Sequence, residues 1–214
     1  MAGIGTVSIT IACLLVGIAH GHVVITYPGW RGNNLIVNDE FPYGMQRSYP
    51  CGGLSATQNR TAWPITNGAL AMQPGWFAGH ATALMYINLG LGSEPDTYSP
   101  MVPMFRLTGP SDNPYPGTVC LPQVSPPQGV VPKNGDLATI QVVQTLKSGA
   151  SLYSCADIVF TDDPSKLPPV SADNCFNSTT IHAEAVQVTA TSEKSSAARG
   201  ISGLSALLSF LPFI

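Results

Sequence analysis

The chain has 214 residues and a formal net charge of −3, and only 10% of its residues are charged, against about 25% in ordinary globular proteins. Nothing in so weak and acidic a balance points to nucleic acid or to a basic membrane-surface patch. With 21 Gly and 19 Pro, the composition favours many turns over long helices.

The chain opens on an apolar run over 7–18, followed by the small residues Ala19 and Gly21, which is the layout of a secretory signal. The run is shorter than the roughly 20 apolar residues that cross a bilayer, and no Lys or Arg precedes it. Cleavage after Gly21 leaves His22 as a free amino terminus, whereas cleavage after Ala19 would leave His20. The expected processed domain is 22–176, the size of one domain and large enough to bury a core.

Within it, stretches rich in β-branched and aromatic residues recur at 22–27, 69–73, 81–89, 104–108, 138–146 and 152–160. Thr139, Gln141 and Val143 alternate with Ala138, Ile140 and Val142, the period of a half-buried strand. Tyr27-Pro28-Gly29, Pro74-Gly75, Gly109-Pro110, Asn113-Pro114 and Asn134-Gly135 punctuate these stretches. Short strands with such turn signals predict an all-β sandwich. The stretch 29–62 reads as one long loop, interrupted by Pro42 and Pro50 and tied down at Cys51; long loops of this kind are more often functional than idle.

The segment 177–198 is rich in Ser, Thr and Ala and reads as a stalk. Small residues around Ser195, a short spacer and the apolar stretch 201–214 form the pattern of a GPI-attachment signal. Ser195 is the expected attachment residue, with 199–214 removed. A tail anchor fails on length, and the stalk separates this tail from the core that a packed terminal helix would need.

Cysteine usage fits export. Cys13 departs with the signal, leaving Cys51, Cys120, Cys155 and Cys175, enough for two disulfides in any of three connectivities. The sequence contains no CxxC pair, which counts against a zinc site built on thiolates. Asn59 and Asn177 each begin a glycosylation sequon.

After cleavage the histidines are His22, His80 and His182. An N-terminal histidine offers two ligands at once, its α-amine and its Nδ1. A second imidazole opposite them gives an all-nitrogen set suited to the tetragonal preference of Cu(II). His182 falls in the stalk and reads as solvated. His80 ends the turn that begins at Pro74 and opens the next strand, so it is the candidate for the second imidazole.

The stretches His22-Val-Val-Ile-Thr-Tyr-Pro-Gly-Trp-Arg-Gly-Asn-Asn-Leu, Pro42-Tyr-Gly-Met-Gln, Tyr49-Pro-Cys-Gly-Gly, Gln73-Pro-Gly-Trp-Phe-Ala-Gly-His and Cys155-Ala-Asp together resemble the fungal GPI-anchored copper-acquisition factors, relatives of the lytic polysaccharide monooxygenases. The resemblance covers nearly all of 22–176. It implies an immunoglobulin-like or fibronectin-like β-sandwich holding one copper, Cu(II) at rest, in a histidine brace. By position, His22 would supply its amine and Nδ1, His80 the second imidazole, and Asp157 an added carboxylate. Asp157 also interrupts an apolar strand, and a buried carboxylate needs a metal or another partner; an Arg pair is the other reading. Arg31 reads as a neighbour of the copper or as one half of a surface ion pair. Trp30, Trp63 and Trp76 form either a polysaccharide platform or loop packing. Of the three connectivities, Cys51–Cys155 with Cys120–Cys175 is favoured because it ties the long loop to the strand of Asp157.

Three functions fit such a site: copper capture for delivery to a plasma-membrane importer, oxidative cleavage of polysaccharide, and a wall protein with incidental copper affinity. An anionic ligand at Asp157 would favour Cu(II) over Cu(I) and crowd the metal, and an anchor holds the protein to its own cell. Both points favour the carrier, for which polysaccharide binding is not expected; cleavage of wall glycans is the alternative.

Overall fold

The structure, a computed structural model, describes residues 22–186. The expected signal (1–21), the attachment site at Ser195 and the tail 199–214 lie outside the described residues.

Among the described residues the strands are β1 (Val24–Tyr27), β2 (Thr61–Pro64), β3 (Gly68–Gln73), β4 (Thr82–Leu91), β5 (Ser99–Pro100), β6 (Phe105–Thr108), β7 (Val119–Val124), β8 (Leu137–Leu146), β9 (Ser151–Thr161) and β10 (His182–Ala185). The only helical elements among these residues are the 3-10 turns Met45–Arg47 and Pro164–Lys166. A three-stranded sheet runs β1-β3-β7, and a seven-stranded sheet runs β10-β6-β4-β8-β9-β2, with β5 added against β4. All pairs are antiparallel except β2 with β9.

The two sheets form the expected β-sandwich. Alternation on β4 turns Ala83, Met85, Ile87 and Leu89 inward. With Ile140 and Val142 of β8 and Ile158 and Phe160 of β9, they pack against Ile25, Leu70, Met72, Val119 and Val124 of the small sheet. Trp63 fills one end of this core, its indole lying where a Cβ on Gly68 would sit. Trp30 packs on the core from outside, and Trp76 is about half exposed, at 49%. Packing therefore accounts for two of the three tryptophans.

All six predicted strand regions contain a strand. The structure adds β2, β5, β7 and β10. Pro64 and Pro122 masked β2 and β7 in the sequence, yet both strands lie at sheet edges, where a residue without an N–H is tolerated. On β8, Thr139, Gln141 and Val143 are buried as deeply as their apolar neighbours, so β8 is covered on both faces. The long loop supplies the second cover: Gln141 Nε2 donates to the Pro50 carbonyl (2.9 Å), and Arg31 N–H donates to the Cys155 carbonyl (2.6 Å).

Both favoured disulfides are formed, Cys51–Cys155 and Cys120–Cys175, with Cα separations of 5.2 and 5.1 Å. The first staples the long loop to β9. The second ties the segment before Asn177 to β7. The expected boundary at 176 is too early. Asn177 Oδ1 accepts from Cys120 N–H (2.8 Å), Ser178 and Thr118 exchange two hydrogen bonds, and β10 pairs with β6 through His182 to Ala185. The start of the presumed stalk is an edge strand of the sandwich, where His182 is exposed.

Candidate metal centre

His22 directly precedes Val23 and β1, and His80 closes the loop between β3 and β4. Because β1 pairs with β3 so that Val24 faces Gln73, the residues just before β1 and the β3–β4 loop meet at one end of the sandwich. There the main-chain N–H of His22 donates to Nε2 of His80 at 3.1 Å, with both histidines buried. Residues 58 positions apart in sequence thus share one contact.

Each histidine has its own setting. The His22 ring lies against Phe77, centroids 4.2 Å apart and tilted by 42°. On another side stands Gly44, where a Cβ would come within 3.3 Å of His22 Nε2. Gly44 has φ of 91°, a conformation glycine adopts at little cost. The main chain around His80 is held from three directions. Gly79 N–H donates to the Asp112 carbonyl (2.7 Å), Ala81 N–H donates to the Asp112 carboxylate (3.1 Å), and the His80 carbonyl accepts from the Tyr115 hydroxyl (2.9 Å). Tyr115 is buried against Gly75 and Gly109, and that burial pushes its phenol up to about 12, so it remains a donor.

Burial lowers the His80 imidazole to about 4, with Gln144 and Asp112 opposing the shift. The ring is therefore neutral at physiological pH, the state a metal requires. Gln144 lies close enough to favour the protonated ring, yet neither Gln144 Oε1 nor His80 Nδ1 makes a hydrogen bond of regular geometry. Gln144 Nε2 is spent on the Pro74 carbonyl (3.2 Å).

Asp157 does not join this site. On the large sheet Ala83 of β4, three residues from His80, stands opposite Leu146, whereas Asp157 stands opposite Thr139, which faces Gly90. The seven residues from Ala83 to Gly90 at about 3.3 Å each place Asp157 roughly 23 Å along the sheet. Its oxygens are already engaged. Arg31 grips it through Nε (2.8 Å) and Nη2 (2.7 Å), Thr139 Oγ1 donates at 2.8 Å, Thr57 N–H at 3.1 Å, and Arg60 lies at 3.8 Å. Burial alone would raise its pKa, but the bonds from Arg31, Thr57 and Thr139 hold it below the usual carboxylate range. The Arg pair is therefore the correct reading of Asp157, and Arg31 is neither beside the His22–His80 pair nor on the surface.

Among the described residues no group of three or more His, Cys, Asp and Glu side chains gathers around one point. What the fold assembles is two imidazoles and one main-chain nitrogen. The carboxylate nearest this end by its contacts is Asp112, which the sequence reading passed over. Gly44, Gln46, Phe77, Tyr115 and Gln144 were also unmarked as site residues, although Gly44, Gln46 and Phe77 lie inside the stretches that carried the family resemblance. Exposed Asn59 and Asn177 leave both sequons on the surface.

Comparison with known proteins identifies the family. The chain is 52% identical to "Lytic polysaccharide monooxygenase-like protein X325" of Aspergillus fumigatus, over 94% of this chain and 90% of that one. It is 56% identical to "Lytic polysaccharide monooxygenase-like protein ham-7" of Neurospora crassa, over 82% and 80%. Among solved structures, an AA10 lytic polysaccharide monooxygenase from Streptomyces lividans matches at 17% identity over 57% of this chain and 70% of that one. Its TM-score of 0.34 is too low to bear on function. Residues 20–180 match the family described as "Copper acquisition factor BIM1-like", and the chain belongs to that family.

Proposed function

We propose that the protein captures one Cu(II) ion at its processed amino terminus, through the amine and Nδ1 of His22 and Nε2 of His80, and serves copper acquisition at the cell surface. The single observation that carries this reading is the 3.1 Å separation between the His22 nitrogen and His80 Nε2. Two nitrogens bound at right angles to one metal, each at the roughly 2.0–2.1 Å typical of imidazole nitrogen on a first-row metal, stand about 2.9 Å apart. The pair is thus already spaced as neighbouring ligands. Cleavage after Gly21 would convert the donating N–H into an amine whose lone pair faces the same point, and an α-amine with a pKa of about 7.7–8.0 yields its proton readily to a competing metal. Copper supplies Lewis acidity and a one-electron couple; the chain supplies three nitrogen donors and a backbone that holds them.

Asp157 no longer separates the carrier from the enzyme, because it is committed to Arg31. The family description, copper acquisition, supports the carrier, with delivery to a plasma-membrane importer as its next step. The layout of the two chain ends supports secretion and a GPI anchor, with glycans at Asn59 and Asn177. Treatment of intact cells with a GPI-specific phospholipase should release the protein.

The test is a copper titration read by EPR on two forms, one beginning at His22 and one with a single residue added before it. Tight one-to-one binding by the first and its loss in the second support the proposal; equal binding by both removes the amine from the site. Incubation with reductant, peroxide and chitin or β-glucan should give no oxidised oligosaccharides, and a product series would turn the assignment to the enzyme.

A further inference from the structure

Capture at an amino terminus raises a mechanical problem. The first residue of a chain has one covalent neighbour, and terminal residues fray unless tied down. β1 begins only at Val24 and is an edge strand of the small sheet, so its ladder with β3 does not secure what precedes it. Val23 is held instead by a side chain. Gln46 Oε1 accepts the Val23 N–H at 2.8 Å, and Gln46 Nε2 donates to the Val23 carbonyl at 2.8 Å. A strand offers the N–H and carbonyl of one residue toward the same side, and the Gln46 amide meets both as a neighbouring strand would. Gln46 is itself fixed: Nε2 also donates to Asn34 Oδ1 (2.6 Å), and Asn34 Nδ2 donates to the Tyr153 carbonyl of β9 (3.2 Å). Gln46, Asn34 and Val23 are all essentially inaccessible to solvent.

We propose that Gln46 is the positioning residue of the copper site. The N–H it binds belongs to the His22–Val23 peptide, so its grip orients that peptide plane and, with it, the directions of the His22 amine and ring. Gly44, two residues earlier, shapes the space beside the ring, so one short stretch of the long loop sets both. The proposal rests on the copper reading above. It adds that the loop works as a clamp on the chain start, anchored to β9 by Asn34 and by the Cys51–Cys155 disulfide.

The experiment uses the full chain produced through a secretory host, as wild type, Gln46→Met and Asn34→Ala, with a fourth form carrying one residue before His22. Cu(II) affinity by chelator competition, the EPR hyperfine pattern and amide exchange at Val23 are measured on each. Gln46→Met should weaken Cu(II) binding by about tenfold or more, in the range seen when a group supporting a ligand is removed. It should also change the hyperfine splitting and speed exchange at Val23. Asn34→Ala leaves the Gln46 amide in place but unsteadied and should shift the same three readouts in the same directions by less. If Gln46→Met does not fold, Asn34→Ala decides. Affinity within about twofold of wild type and an unchanged EPR pattern overturn the clamp, whatever happens to the melting temperature. If the extended form binds copper as well as wild type, the copper reading itself fails. If extension abolishes binding while the Gln46 and Asn34 variants do not affect it, only the positioning role falls.

Discussion

The two ends of the large sheet each bury a polar cluster, and they have opposite characters. At one end, Asp157 sits among Arg31, Arg60, Thr139 and Thr57, and its oxygens and the Arg31 donors are spent on one another and on the Leu54 carbonyl. At the other end, the main-chain nitrogen of His22 meets the neutral imidazole of His80, and polar neighbours hold the backbone around His80. A buried charge that is fully answered within the protein ties structure together. The neighbours of His80 bind its backbone rather than its ring, which is the arrangement on which the proposed copper site rests. Both clusters look alike in sequence, as polar residues among apolar ones, and only their partners separate them.

The sharpest way to break this comparison is to exchange the roles. Asp157→Ala should cost about 3–5 kcal/mol of stability, because it strands the Arg31 guanidinium in a buried site, while the EPR spectrum of bound Cu(II) stays as in the wild type. Urea unfolding and EPR on the same sample check both halves, and a changed spectrum would bring Asp157 back to the metal. His80→Ala should do the reverse. Copper binding should weaken by at least about a hundredfold, roughly 2.8 kcal/mol, with the urea midpoint of the metal-free protein shifted far less than by Asp157→Ala.

Gly44→Ala is a smaller perturbation placed at the boundary of the site. A side chain at φ of 91° is strained, and the new methyl presses on His22 Nε2 at 3.3 Å. A stability loss of about 1–3 kcal/mol should come with a shifted EPR spectrum; loss of stability with an unshifted spectrum would mean that the ring has room to yield.

The mildest test is pH. The folded-state pKa of Asp157 is depressed. Its contribution is therefore fully present above the unfolded value of about 3.9 and is lost as pH falls through the folded value below that. Urea midpoints from pH 6 to 2 should decline at the acid end in the wild type. The decline should be shallower in Asp157→Asn, which has no proton to take up there. Equal slopes would assign the acid loss to other carboxylates.

Sequence alone carried much of this protein because much of it is local. The period-two alternation of β4 and β8, the Pro and Gly punctuation and the even cysteine count are properties of neighbouring residues, and they were enough for a β-sandwich with two disulfides. His22 and His80 were legible as candidates because their positions, just after an apolar run and at the end of a turn, mark them without any knowledge of their surroundings, and the fold brings the two together.

What the sequence could not decide depended on partners distant along the chain. Thr139 and Gln141 alternate as solvent-facing residues would, yet the 29–62 loop covers them. Asp157 follows Cys155 in a stretch that suggests a metal ligand, yet strand register carries it roughly 23 Å along the sheet from the level of Ala83, three residues from His80, and into the grip of Arg31, 126 residues away. β10 is exposed at every position, and its His-Ala-Glu-Ala sequence carries no large apolar residue, so its pattern reads as a stalk, and only its pairing with β6 makes it a strand. Gln46 holds Val23 through a side-chain amide, an interaction with no periodicity to betray it. The local pattern of a chain determines which faces are apolar. Which polar groups answer each other is settled when those faces are buried, because each buried donor or acceptor must find its partner in three dimensions.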